Sequence, residues 1–394
     1  MKTQISQSLV NFAVCGKFHY FRYIPYLDNY VLNRFYCSAR PSYINLLPTN
    51  TKDKMVNLFL KEYLLHGHLR LFGNRLYDKF VPLYVDYWQE RCLNQWSSAP
   101  IFHFLLHGNC LKLVKNAKNE GSLIIGEAVN CHPIDLNNRL IQEYSHLGFD
   151  CVSKVTPFQQ RMHEESSLCD IILTPSLSVT KSYESLGYHP SKLKTINYGA
   201  DLINFYPSSF PDETSVSDMK DFQLVCVASI SPRKGHIYLL EAWRRLNLRN
   251  ARLLFIGSID PLMKPILSKY SDLFIHISHV PNHKLQQYLC SSDAFALVSI
   301  EDGFGCVVTE AMACGLPVIV SDAVGASDLI HEGETGIIVK SRSVDDIMSA
   351  IQFLYDYRLS SKLMGEAARL SVSNFYTWQK YASILSSYYL SLLK

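Results

Sequence analysis

Beyond residue 221 the chain alternates short apolar runs with longer amphipathic stretches. The runs 224–229, 253–256, 274–277, 294–299, 316–320 and 336–339 are too short for helices, and they predict buried strands. Between them, 235–246, 284–290 and 307–314 predict helices, the last closed by Gly315. Strands that alternate with helices predict an α/β fold with a parallel sheet covered on both faces. Such sheets bind ligands at the carboxyl ends of their strands. The first half is less regular. Segments 9–15, 122–125, 171–174 and 194–196 read as strands, with long insertions between residues 20 and 120. The stretch 206–221 is polar and carries Pro207 and Pro211, which predicts a linker. The expected organisation is therefore an N-terminal domain (1–205), a linker (206–221), a C-terminal domain (222–374) and a terminal helix (375–394).

Composition changes this picture little. A chain of 394 residues with 48% hydrophobic residues can bury two cores. A net charge of +3 is too small to argue for nucleic acid as a partner. Aromatic residues cluster before residue 110 and after 375. Arg70, Arg75 and Lys79 are interleaved with Phe72, Tyr77, Phe80, Tyr84 and Trp88. That mixture fits either a helical core face or peripheral contact with a membrane. The 11 cysteines form no CxxC pair and read as reduced thiols of a cytoplasmic protein, peripheral contact with the inner face of a membrane staying open. Residues 1–16 carry Gln4, Ser6, Gln7 and Ser8, which leaves no apolar leader segment. The apolar runs are broken before the roughly 18 residues that a membrane span needs.

The densest chemical signal runs from Glu301 to Pro317. Glu301, Asp302, Gly303, Phe304 and Gly305 follow a predicted strand and open a predicted helix. Glycines permit close approach to a ligand, and a helix start offers free N–H groups to phosphate. Glu310, about two turns into that helix, can accept bonds from ribose hydroxyls. An exposed turn with an acidic helix start would look the same. Arg233, Lys234 and Gly235 follow the first strand of this half and suit a diphosphate, or else form a capped surface turn. A third loop, 322–328, offers the N–H groups of Gly325 and Ala326, with Asp328 either binding a sugar hydroxyl or capping a helix. In the first half, Gly16 and His19 follow a predicted strand and are acceptor-side candidates. His132 follows another. Either histidine could equally be packed. The scattered Cys and His residues make no metal argument.

Together these motifs resemble the family 4 retaining glycosyltransferases (glycosyl transferases group 1). The resemblance is strong over roughly residues 120–375 and weak before that. It implies the GT-B architecture, two Rossmann-like α/β domains facing across a cleft, with the donor on the C-terminal domain and the acceptor on the N-terminal one. It also implies that the chain ends in a helix crossing back to the N-terminal domain. The family's two acids, with seven residues between them, fall on Asp302 and Glu310, with Glu301 as the alternative first acid. Lys234 matches the diphosphate-binding lysine, His132 the active-site histidine and Gly16 the N-terminal glycine loop. The family arginine is absent, because its place is taken by Ser229; Arg233 offers a replacement charge. The implied reaction moves a sugar from a nucleoside-diphosphate sugar to a hydroxyl acceptor on a saccharide or lipid-linked glycan, with retention, no cofactor and no required divalent metal. Two other readings compete with this one. A two-carboxylate glycoside hydrolase fits poorly with acids eight positions apart around a turn and helix. An inactive GT-B partner subunit is favoured by the missing arginine and opposed by Lys234, the acidic pair and Glu310.

Overall fold

The computed structural model describes residues 8–45, 47–73, 75–149, 156–207 and 221–394. Most of the predicted linker lies outside them. The N-terminal half holds a seven-stranded parallel sheet, β1 (Val10–Val14), β2 (Leu32–Cys37), β3 (Met55–Asn57), β4 (Ile101–Leu105), β5 (Leu123–Glu127), β6 (Ile171–Thr174) and β7 (Leu193–Thr195), in the order 3-2-1-4-5-6-7. The C-terminal half holds six parallel strands, β8 (Phe222–Val227), β9 (Ala251–Ile256), β10 (Ile275–Ile277), β11 (Ala294–Leu297), β12 (Val318–Ser321) and β13 (Ile337–Val339), in the order 10-9-8-11-12-13. Helices cover both sheets. In each half the strand order reverses beside the first strand, between β1 and β4 and between β8 and β11. A crevice opens at the carboxyl ends of the strands at such a reversal.

The long insertions expected between residues 20 and 120 are not there. That stretch supplies β2, β3 and β4 and completes the sheet. Polar residues hid these strands. Asn33 and Arg34 interrupt β2, His103 sits in the middle of β4, and β3 has three residues. The aromatic stretch is partly buried and partly exposed. On the helix Tyr77–Leu93, Val81, Val85 and Trp88 are buried, whereas Tyr63, Leu71 and Phe72 on the preceding helix are exposed. Among the described residues, no helix is long and apolar enough to cross a membrane.

The helix Trp378–Leu392 belongs physically to the N-terminal core. Its buried residues Trp378, Tyr381, Leu385 and Tyr389 recur at helical spacing along one face. Thr377 caps the start and bridges to Ala200, beyond β7. The Tyr381 hydroxyl donates to Glu127 Oε1 at 3.0 Å, and the Tyr389 hydroxyl meets His103 in β4.

Candidate functional site

Three loops leave the carboxyl ends of β8, β11 and β12 and lock together. Arg233 and Lys234 lie in a short 3-10 turn after β8 that ends at Gly235. A Cβ on Gly235 would stand 2.1 Å from the Val298 carbonyl oxygen, so glycine is required for the β8 loop to lie this close to β11. The β11 and β12 loops are joined by backbone bonds: Asp302 N–H to Ala323 O at 3.0 Å, Gly325 N–H to Asp302 O at 2.9 Å and Ala326 N–H to Phe304 O at 2.7 Å. The N–H groups of Gly325 and Ala326 are thereby engaged inside the protein. This corrects the expectation that they face a phosphate, since each already has its acceptor. The N–H groups of Gly303, Phe304 and Gly305 have no acceptor among the described residues. They precede the helix Cys306–Ala313, whose start favours an anion.

The acidic pair splits. Glu301 is fully buried, and its carboxylate accepts from Arg233 Nε at 2.7 Å and from Cys131 N–H at 3.1 Å. Asp302 keeps 14% of its side chain exposed and pairs with Lys234 Nζ at 2.5 Å. Arg233 also reaches Asn130 Oδ1 at 2.8 Å. From the loop after β5, then, Asn130 extends its side chain to Arg233 in the loop after β8. His132, expected there, turns away: its ring faces His163, Tyr183 and Tyr188. Its N–H is held by Ser182 Oγ at 2.9 Å, which fixes that turn.

Glu310 lies under the N-terminal half. Arg22, six residues past Gly16, donates from Nη1 to Glu310 Oε1 at 3.0 Å and lies 3.9 Å from Asp201. Burial raises the Glu310 carboxyl to about 7 against the opposing pull of Arg22. Gly16 has φ +126° and starts the turn that brings His19 and Arg22 back toward the cleft. His19 Nε2 lies 2.6 Å from Glu127 Oε1, and its ring packs 4.2 Å from that of Tyr198, which meets Phe304 edge-on. Phe304 is thus a buried packing residue, 3% exposed. Glu127 ends β5 and collects His19, His103 Nε2 at 3.1 Å and the Tyr381 hydroxyl. Burial pushes its carboxyl upward, but the two histidines outweigh burial and hold it well below the usual carboxylate range.

The sequence did not point to Arg22, Asn130 or Glu127. A charged residue ending an apolar strand, as in the run Leu123–Glu127, was the available signal for Glu127. Asp328, weighed as a sugar ligand or cap, instead accepts from Leu177 N–H at 2.7 Å and Asn197 Nδ2 at 3.3 Å, tying the halves together. Ser176 Oγ donates to the Gly303 carbonyl at 2.8 Å. Among the described residues, no group of three or more His, Cys, Asp or Glu side chains is placed to hold a metal ion.

Residues 211–371 match the family model of glycosyl transferases group 1. Solved structures match over nearly the whole chain. Sucrose-phosphate synthase from Thermosynechococcus elongatus aligns with TM-score 0.71 and 16% identity, covering 98% of this chain and 99% of that one. HepE from Anabaena, in complex with UDP and glucose, aligns with TM-score 0.65 and 13% identity over 98% and 100%. The chain is a GT-B-fold protein related to the family 4 glycosyltransferases. Among curated relatives, the D-inositol 3-phosphate glycosyltransferase of Arthrobacter sp. (strain FB24) is 29% identical over 204 residues, 48% of each chain. A GDP-mannose-dependent phosphatidylinositol monomannoside mannosyltransferase of Corynebacterium glutamicum is 24% identical over 238 residues, 56% of this chain and 62% of the relative. The chain spans about half the length of the curated relatives it matches.

The GT-B architecture gives Gly303 its meaning. A Cβ there would stand 2.0 Å from the Val129 carbonyl oxygen, across the gap between the halves. Gly303→Ala is expected to hold the halves apart. Small-angle scattering should show a larger radius of gyration, with the melting temperature shifting less than the compaction does. Scattering that superposes on wild type would refute this role.

Proposed function

We propose that the chain is a retaining, hexosyltransferase-type enzyme that moves a sugar from a nucleoside-diphosphate sugar to a hydroxyl acceptor on a glycan or lipid-linked glycan. The observation that carries this is the Lys234–Asp302 pair, set at the β8–β11 reversal beside the free N–H groups of 303–305. Lys234 and these N–H groups would stabilise charge growing on the leaving diphosphate. Asp302, rather than the buried Glu301, is the acid that would face the donor sugar. Glu301 would orient Arg233, which stands in for the family arginine missing at Ser229. Glu310 would accept the ribose hydroxyls, and Arg22 would close over it from the acceptor half. That the solved relative HepE holds UDP and glucose supports a nucleotide in this crevice.

The ten free cysteines among the described residues fit a reducing, cytoplasmic location. The exposed Tyr63, Leu71 and Phe72 beside Arg70 fit peripheral contact with a membrane carrying the acceptor. A second reading, an inactive partner subunit, is favoured by Arg22 occupying Glu310 and by Ser229. Release of a nucleoside diphosphate, screened over a panel of nucleotide sugars, decides between them. No release from any donor would leave the partner reading.

The Glu310 value adds a pH test. The carboxylate binds ribose in its charged form, so UDP affinity is expected to rise as pH passes upward through about 7. Arg22→Ala, which removes the cation favouring the charged form, should move that rise to higher pH. Glu310→Gln should abolish it, leaving the profile of the nucleotide's own phosphate. Titration calorimetry from acid to alkaline pH reads all three, and an unmoved midpoint in Arg22→Ala contradicts the assignment.

A further inference from the structure

The helices Leu60–Phe72 and Tyr77–Leu93 pack on each other as a hairpin with an inner and an outer face. The inner face is closed. Val81, Val85 and Trp88 are buried in the N-terminal core, and the rings of His68, Phe80 and Tyr84 join the two helices. The outer face is apolar as well. Leu60, Tyr63, Leu64 and Leu71 recur at helical spacing along the first helix, Leu83 and Tyr87 along the second, and all six are exposed, Leu71 by 76%. Leu60 and Tyr87 line one groove, so the two stripes meet there. A contiguous exposed apolar surface of this kind marks an interaction site.

The charges around this face set what covers it. Arg70, Arg75, Lys79 and Arg91 are exposed and make no ion pair among the described residues. The acids of the two helices are mostly engaged. Glu62 pairs with Lys61, Asp86 with Arg161 at 2.7 Å and Glu90 with Lys112 at 2.7 Å, which leaves Asp78. An apolar stripe rimmed by unpaired cations complements a surface with negative headgroups over an apolar interior, which is that of an anionic bilayer. A second copy of the chain fits less well, because a two-fold contact would set the same cations against each other.

The hairpin also projects on the side of the cleft. Trp88 Nε1 donates to Cys37 O at 3.1 Å, at the end of β2, whereas Asn33, near the start of β2, donates from Nδ2 to Ser98 O at 3.2 Å. The chain from Trp88 to Ser98 therefore runs antiparallel to β2, and the turns that precede Trp88 point past the carboxyl ends of the strands. At ~1.5 Å per residue, Tyr77 lies about 16 Å further out than Trp88. The N-terminal crevice opens on that side.

We infer that the outer face of this hairpin docks on an anionic lipid bilayer and holds the acceptor half against the membrane. Delivery of a lipid-linked acceptor to the crevice rests on the function proposed above; the docking itself does not.

Cosedimentation of the full chain with vesicles tests this without any transfer reaction. Binding to mixed phosphatidylcholine and phosphatidylglycerol vesicles is expected to be about tenfold tighter than to phosphatidylcholine alone, and to weaken as salt rises. Tyr63→Ser with Leu71→Ser, two exposed side chains, should weaken it about tenfold, the equivalent of about 1.4 kcal/mol. Arg70→Glu with Lys79→Glu should bring the two vesicle types to equally weak binding. Melting temperature and UDP affinity are expected to match wild type in both double variants and serve as the control for folding. No sedimentation with either vesicle, or wild-type binding in the serine variant, would overturn the inference. So would a dimer in analytical ultracentrifugation that the serine variant dissociates, which would assign the face to a second copy. Vesicle binding without release of a nucleoside diphosphate from any donor would instead strike the proposed glycosyl transfer and leave the docking standing.

Discussion

Replacing Lys234 by alanine is expected to lower kcat/KM for a nucleotide-sugar donor by ~10²–10³, equivalent to about 3–4 kcal/mol of transition-state stabilisation. The side chain is 16% exposed and ends on Asp302, so its ammonium stands at the crevice rather than in the core. Charge on the leaving diphosphate grows as the glycosidic bond breaks, and a cation placed there in advance acts more on the transition state than on the ground state. The loss should therefore appear in kcat as well as KM. Lys234→Arg should recover little, because a planar guanidinium does not reproduce a compact point charge. Glu310→Ala should differ in kind. Its loss falls on nucleotide affinity, seen in KM and in UDP binding. Steady-state rates with the donor found by screening, alongside calorimetry with UDP, separate the two. Wild-type turnover in Lys234→Ala would remove the lysine from the reaction.

Glu127→Gln is expected to destabilise the protein by about 3–5 kcal/mol, the range for breaking a buried ion pair by removing one partner. Glu127 is 1% exposed, accepts from the Tyr381 hydroxyl and lies within ion-pair distance of His19 and His103. A glutamine in its place points an amide donor at groups that are themselves donors. The melting temperature should fall by about 10 °C, at ~2–4 °C per kcal/mol for units of this size. The pH dependence identifies the cause. The folded-state pKa of Glu127 is depressed, so the pairing stabilises above the unfolded-state value of ~4.3. That contribution is lost as pH falls from there through the folded value. Calorimetry on the acid side of neutrality should show a steeper decline for wild type than for the variant. Parallel curves would contradict the ion-pair account.

The C-terminal half was legible because its strands are buried on both faces and read as unbroken apolar runs, such as Ala294–Leu297. Glycine turns and charged residues then fell at strand ends, where ligands bind in this class of sheet. The N-terminal sheet was harder to read. β2 and β4 carry Asn33, Arg34 and His103 among their apolar residues, and the partners that satisfy His103 lie 24 and 286 residues away, on Glu127 and Tyr389. Local patterns cannot announce a partner so distant. Glu301 and Asp302 looked equivalent for the same reason, and Cys131, Arg233 and Lys234 tell them apart through space. His132 was misplaced because a position next to the site does not reveal which way a ring turns.

The terminal helix has a consequence for how the chain is made. The buried cluster around Glu127 and His103 is not complete until Tyr381 and Tyr389 arrive from the helix Trp378–Leu392. A ribosome finishes β7 well before it reaches that helix, and at ~5–20 residues per second the interval is on the order of ten to forty seconds. Throughout it the N-terminal half has a nearly complete sheet with an open seam, while the C-terminal half can close on itself. Assembly of this protein therefore runs against the order of its synthesis: the part made first is the part completed last.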